Sequence, residues 1–129
     1  MDRPFVGVSV IIRKDNTYLL GLRKGSHGSG TWAFPGGHLE KNESIVECAK
    51  REIKEELNVN LENIIVKNYY TEDIFEGKHY ITLYVEANIG NQIVENMEPH
   101  KCEELQWFYI NEFPKNLFYP LSQWINNFS

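Results

Sequence analysis

The chain has 129 residues, a length that suits one domain spanning residues 1–129 and buries a core without staples. Hydrophobic residues make up 42% and aromatics 13%, which excludes a disordered or low-complexity chain. The net charge of -5, with only 13 basic residues, argues against duplex DNA or RNA as a partner, because phosphate binding needs basic surface; a small phosphorylated ligand stays open, since metal ions can bring the positive charge.

In chain order, Met1-Asp2-Arg3-Pro4 runs without a leader-like segment into Val6 to Ile12, a β-branched run that predicts a strand. Asp15-Asn16 is a turn signal and Tyr18 to Leu22 the return strand. Gly25 to Gly30 reads as a flexible loop, and Thr31 to Phe34 as a short strand stopped by Pro35-Gly36-Gly37. Ser44 to Leu57 predicts a helix, with Val46, Ala49, Ile53 and Leu57 as its apolar stripe, Glu47 and Arg51 as an i,i+4 pair, and Asn58 as its stop. Ile64 to Phe75 and His79 to Ile89 predict a long hairpin around Glu76-Gly77-Lys78. Gln106 to Ile110 reads as a strand, and Leu117 to Phe128, after Pro114, as a terminal helix. Strands interleaved with two helices predict an α+β or layered α/β/α fold. No apolar run approaches the roughly 20 residues of a membrane span, so a cytoplasmic location is expected. Cys48 and Cys102 lack metal or redox spacing; a reduced pair is expected, with Cys48 a buried small residue.

Arg51-Glu52-Ile53-Lys54-Glu55-Glu56 carries the chemistry. Glu52, Glu55 and Glu56 fall at i, i+3, i+4 and share a helix face beside the apolar stripe. Like charges at that spacing repel, so the cluster is either a solvated acidic face or a set of hard oxygens for Mg²⁺ or Mn²⁺. Gly37, which permits close backbone approach and can turn its carbonyl to a metal, and Glu43 at the helix start favour the second.

Gly37, five residues, Glu43, seven residues, then Arg51 through Val59 resembles the Nudix box, G-x5-E-x7-R-E-U-x-E-E-x-G-U with U aliphatic. Asn58 stands where the family has glycine, and Asn is the next-best residue for that cap. The resemblance implies an α/β/α sandwich with a mixed β-sheet between helices. It implies that Glu52 and Glu56 are the main metal ligands and Glu55 a ligand to a further ion. It also implies that Gly37 donates its carbonyl, that Arg51 orients a glutamate by an ion pair, and that the Glu52 position serves as general base in some relatives. Outside the box, Leu20 to Ser26, Phe34 to Glu40, Glu98-Pro99 and Lys101-Cys102-Glu103 before Trp107 resemble the small MutT-like nucleoside triphosphate diphosphatases, of the type accepting guanine and thiopurine nucleotides. That implies Mg²⁺, release of a nucleoside monophosphate and pyrophosphate in nucleotide-pool housecleaning, and a homodimer.

The remaining candidates each have two readings. Arg23 contacts substrate phosphates or is a surface arginine at a strand end. Glu103 approaches the metals or is a solvated loop charge. Phe34, Phe118 and Leu121 line a nucleobase pocket or are plain core, with Pro120 able to reshape that segment. Gly36 and His38 border the box and count as substrate-facing; His27, His79 and His100 read as solvated or structural. Competing functions are a hydrolase of nucleotide sugars or dinucleotides, for which the short chain leaves little room, and a binding module, against which the complete glutamate cluster speaks.

Overall fold

The computed structural model describes residues 3–25 and 27–129; Met1, Asp2 and Ser26, which enter the readings of the N-terminus and the glycine loop, lie outside the described residues. The described residues form seven strands and two α-helices: β1 (Phe5–Lys14), β2 (Thr17–Arg23), β3 (Trp32–Ala33), β4 (Gly36–His38), α1 (Ile45–Leu57), β5 (Glu62–Phe75), β6 (Lys78–Asn88), β7 (Cys102–Tyr109) and α2 (Tyr119–Phe128). The main path runs β3-β2-β1-β6-β5, with β4 added to β1 and β7 to β2. β1 and β6 are parallel and the other pairs antiparallel, which makes the sheet mixed.

Alternation along the strands builds two cores, because successive side chains point to opposite faces. Val8, Val10 and Ile12 of β1 and Val85 of β6 pack under α1, against Cys48, Ala49, Ile53 and Leu57. Ile11 of β1, Leu20 of β2 and Tyr84 of β6 face the other way, against Leu121 and Trp124 of α2. This is the expected α/β/α sandwich. Each fully buried aliphatic side chain contributes about 1.5–3 kcal/mol.

Helix α1 starts in a capping box: Ser44 Oγ accepts from the Glu47 amide at 3.0 Å and Glu47 Oε1 accepts from the Ser44 amide at 2.9 Å. Glu47 therefore does not pair with Arg51 as its spacing predicted. The buried stripe takes Cys48, with Ile45 packed beside it, while Val46 lies at its edge. Asn58 closes the helix in the left-handed region at φ 56, as expected for that cap.

Three of the differences from the sequence reading bear on the site. Gly36–His38 is a strand rather than a stop, antiparallel to β1 with Val8 opposite Gly37. A side chain at Gly36 would overlap the Val8 carbonyl, so only glycine lets this segment lie flush. β7 begins at Cys102, four residues before the predicted Gln106, because it pairs with β2 along almost its whole length. α2 begins at Tyr119, since β3 ties the preceding residues down: the Trp32 amide donates to Asn116 and the Phe118 amide to Trp32. Among the described residues no helix is long and apolar enough to cross a membrane.

Candidate active site

A pocket of about 420 Å³ opens where β4, the inner face of α1, the β5–β6 hairpin and the segment before α2 converge. Glu52 and Glu56 line it. Both lie on the same i,i+4 row of α1 as buried Cys48, which turns them inward. Glu55 lies on the row of Arg51, is half exposed, and its Oε2 stands 3.6 Å from the Arg51 guanidinium. The helix face that the sequence assigned to three glutamates is thus split, two into the pocket and one outside it.

Arg51 organises this end. Its Nε and Nη2 donate to the two oxygens of Glu43 at 2.6 and 3.0 Å, its Nη1 to Glu52 Oε1 at 2.7 Å, and its Nη2 to the His38 carbonyl at 3.1 Å. The paired guanidinium holds the Glu43 carboxyl down at about 2. Glu43 therefore acts as a clamp on Arg51 rather than as a charge at the helix terminus. Burial pushes the Cys48 thiol up to about 12, with Glu43 acting in the same direction.

Glu56 is the outlier. Its Oε2 is sealed from solvent and has no hydrogen-bond partner. Burial, then the neighbouring Glu52 carboxylate, raise its carboxyl well above the usual range. A buried acceptor without a donor costs free energy, which a cation would recover. A side chain at Gly37 would overlap the Glu52 carboxylate, so the β4 backbone sits directly against the pair. Among the described residues, no three His, Cys, Asp or Glu side chains form a ready-made cage. The arrangement fits a divalent cation held by two carboxylates and completed by backbone and water oxygens.

Arg23 lies between this acidic end and an aromatic recess. Its Nε donates to the His27 carbonyl at 2.9 Å and its guanidinium sits 4.2 Å from the Phe118 ring centre. Burial lowers its pKa, and Glu56 acts in the opposite sense. The His27 ring lies parallel to Tyr80, 5.3 Å between centres, and edge-on to Phe118.

Of the substrate-facing candidates, Arg23, Phe34, Gly36, His38 and Phe118 all line the pocket. Leu121 does not: it is 1% exposed and packs in the α2 core, so of its two readings the structure supports core. Glu103 lies in β7 rather than a loop, exposed and outside the pocket; the acidic residue of the loop before β7 that lines it is Glu98, with Asn96 beside it. The loop is held there by the C-terminal carbonyls of α1, which accept from the amides of Glu95 and Met97. Sequence reading took His27 for a solvated or structural residue and passed over Asp73, Tyr80 and Thr82, yet all four line the pocket. For Asp73 and Tyr80 the signal was present, since a hairpin closed at Glu76-Gly77 places them opposite each other.

The NUDIX domain model matches residues 3–128 of the chain. The chain is 32% identical over 117 residues to an ADP-ribose pyrophosphatase of Methanocaldococcus jannaschii, covering 89% of this chain and 68% of that protein. It is 27% identical over 115 residues to the m7GpppN-mRNA hydrolase of Saccharomyces cerevisiae; that match covers 77% of this chain but only 12% of the much longer yeast protein. Among solved structures, a MutT NUDIX hydrolase from Burkholderia pseudomallei superposes with a TM-score of 0.91 at 27% identity, covering 99% of this chain and 100% of that one.

Proposed function

The chain belongs to the Nudix hydrolase family, and from that premise we propose that it hydrolyses nucleoside and deoxynucleoside triphosphates to the nucleoside monophosphate and pyrophosphate, with Mg²⁺, or Mn²⁺ in its place, held by Glu52 and Glu56. The observation that carries this is one pocket joining the Glu52–Glu56 pair, with its unpartnered Glu56 oxygen, through Arg23, to the recess of His27, Tyr80 and Phe118. Such a cleft matches an anionic polyphosphate at one end and a flat base at the other. The likeness to a MutT hydrolase over the full length of both chains supports the same reading.

Bound between the carboxylates, the cation would offset phosphate charge and acidify a water. The chain's own groups do the rest. Arg51 holds Glu52 in place through the 2.7 Å bond while Glu43 and the His38 carbonyl fix Arg51. One carboxylate of the pair takes the proton of the attacking water. The new bond forms from water oxygen to phosphorus, and the bond from that phosphorus to the bridging oxygen breaks, so that pyrophosphate leaves. Arg23 pairs with phosphate oxygens on the path between the two ends. Glu55 and Glu103 stand outside the pocket, so the proposal rests on Glu52, Glu56 and the Gly37 backbone.

A second reading, cleavage of another nucleoside diphosphate linkage, is favoured by the likeness to the archaeal ADP-ribose pyrophosphatase. Turnover with Mg²⁺ over a panel of nucleoside triphosphates, ADP-ribose, a nucleotide sugar and a dinucleotide separates the two. We expect kcat/KM to be highest for a triphosphate. A higher value for ADP-ribose would move the assignment to the second reading, and no turnover of any compound would sink both.

A further inference from the structure

The aromatic end of the pocket contains one charged group that the hydrolytic chemistry does not use. Asp73 stands opposite Tyr80 across the β5–β6 pair, and Thr71 stands opposite Thr82. Opposed residues share a face, as do residues two apart on a strand, so these four point the same way, into the pocket side of the sheet. Glu72, on the opposite face, is paired with His79.

Two hydroxyls on the face of Asp73, those of Thr71 and Tyr84, are otherwise engaged. Thr71 Oγ1 and Tyr84 OH share a hydrogen bond of 2.8 Å, and Tyr84 OH donates to the Pro120 carbonyl at 3.0 Å. Tyr80 lies between the rings of Phe5, at 5.4 Å, and His27, at 5.3 Å. Among the described residues the Asp73 carboxylate has neither a hydrogen bond nor an ion pair. Partial burial raises its pKa, with the imidazoles of His27 and His79 acting the other way. A half-buried carboxylate in an aromatic recess is an acceptor awaiting donors.

We propose that Asp73 is the base-reading residue of this pocket and selects guanine, by accepting two adjacent N–H groups from its Watson–Crick edge. The proposal rests on the reading of the pocket as a nucleotide site. The chemistry of the edges decides the choice. Guanine presents its ring N–H and its 2-amino group side by side, and a carboxylate accepts both. Adenine and cytosine present one amino group beside a ring acceptor, whose lone pair a carboxylate repels. Uracil and thymine present a single N–H between two carbonyls. Hypoxanthine lacks only the 2-amino group, which makes it the sharpest comparison.

Calorimetric titration of the full chain with GMP, IMP and AMP tests this without turnover. Unmodified protein should bind GMP on the order of tenfold more tightly than IMP, and more tightly still than AMP. Asp73→Asn should reverse the order. A carboxamide accepts from the adenine amino group and donates to the adjacent ring nitrogen, so AMP gains while GMP loses. A gain for AMP cannot come from a loosened fold, and a thermal melt of the variant checks folding directly. The proposal fails if GMP is not preferred at the start, if the variant keeps the original order, or if no monophosphate binds. Base-selective binding with no triphosphate turnover would leave Asp73 as proposed and sink the hydrolase reading instead.

Discussion

Glu56 and Glu55 are adjacent in sequence and differ in everything that matters for chemistry. Glu56 has one carboxylate oxygen sealed from solvent without a partner, whereas Glu55 lies toward solvent beside Arg51. Glu56→Gln is expected to cut turnover at saturating Mg²⁺ by on the order of a hundredfold or more, and Glu55→Gln by only a few-fold. Near-normal turnover in Glu56→Gln would show that it holds no ion. The same residue sets a pH dependence. Its folded-state carboxyl lies above its unfolded value, so the folded protein binds that proton more tightly. The resulting stability is fully present below the usual carboxylate range and is lost as pH rises through the raised value. In excess chelator, Glu56→Gln should therefore melt above the unmodified protein at about pH 8, with the gap closing toward about pH 4. A gap that does not change with pH would assign the effect to packing. Glu43 runs the other way: with its carboxyl held at about 2, its contribution is present above the usual carboxylate range and lost as pH falls toward that value.

At the scale of an element, α1 depends on its two ends and on β4 alongside. Asn58 stands in left-handed backbone where the family pattern has glycine. Asn58→Gly is expected to leave denaturant stability within a few tenths of a kcal/mol, the lost bond to Glu95 being exposed, while Asn58→Ala should cost about 1 kcal/mol. Equal effects of the two would mean that the side chain, not the conformation, is what the cap needs. The two glycines of β4 answer to different neighbours. A methyl at Gly36 meets the backbone carbonyl of Val8, which cannot retreat without breaking the β1–β4 pairing. A methyl at Gly37 meets the Glu52 carboxylate, which can swing. Gly36→Ala should therefore lower the melting temperature sharply, whereas Gly37→Ala should stay folded and lose turnover. The opposite ranking in thermal melts would contradict this placement of β4.

The whole molecule brings together groups that no single element holds. The pocket draws on β4, α1, the β5–β6 hairpin, the loop before β7 and the segment before α2. Because its acidic end alone repels a polyphosphate, turnover is expected to vanish in excess chelator and return with Mg²⁺. Full turnover in chelator would overturn the metal proposal. We also propose a homodimer. Strand β5 ends the main path of the sheet and exposes Ile65, Val66, Tyr70 and Ile74, an apolar surface that a second copy would cover. Light scattering should give about twice the 15.1 kDa chain mass; a monomer mass at every concentration would rule it out.

The local pattern of the sequence determined a good deal by itself. The spacing from Gly37 through Val59, the helix start near Ser44, the stop at Asn58 and the hairpin around Gly77 are short-range facts, set by helix period, turn geometry and backbone freedom, and all reappear in the fold. Tertiary structure decided which members of those patterns face one another. Periodicity placed Glu52, Glu55 and Glu56 on one face, but only the packing of α1 on β1 and β4 sets where along that face solvent ends, and the boundary falls between Glu55 and Glu56. Likewise His27 reaches Tyr80 from a distant part of the chain, and nothing in its own neighbourhood distinguishes it from a solvated residue. A long-range contact leaves no periodic trace in sequence; it exists only once β6 pairs in parallel with β1 and carries the hairpin over the glycine loop.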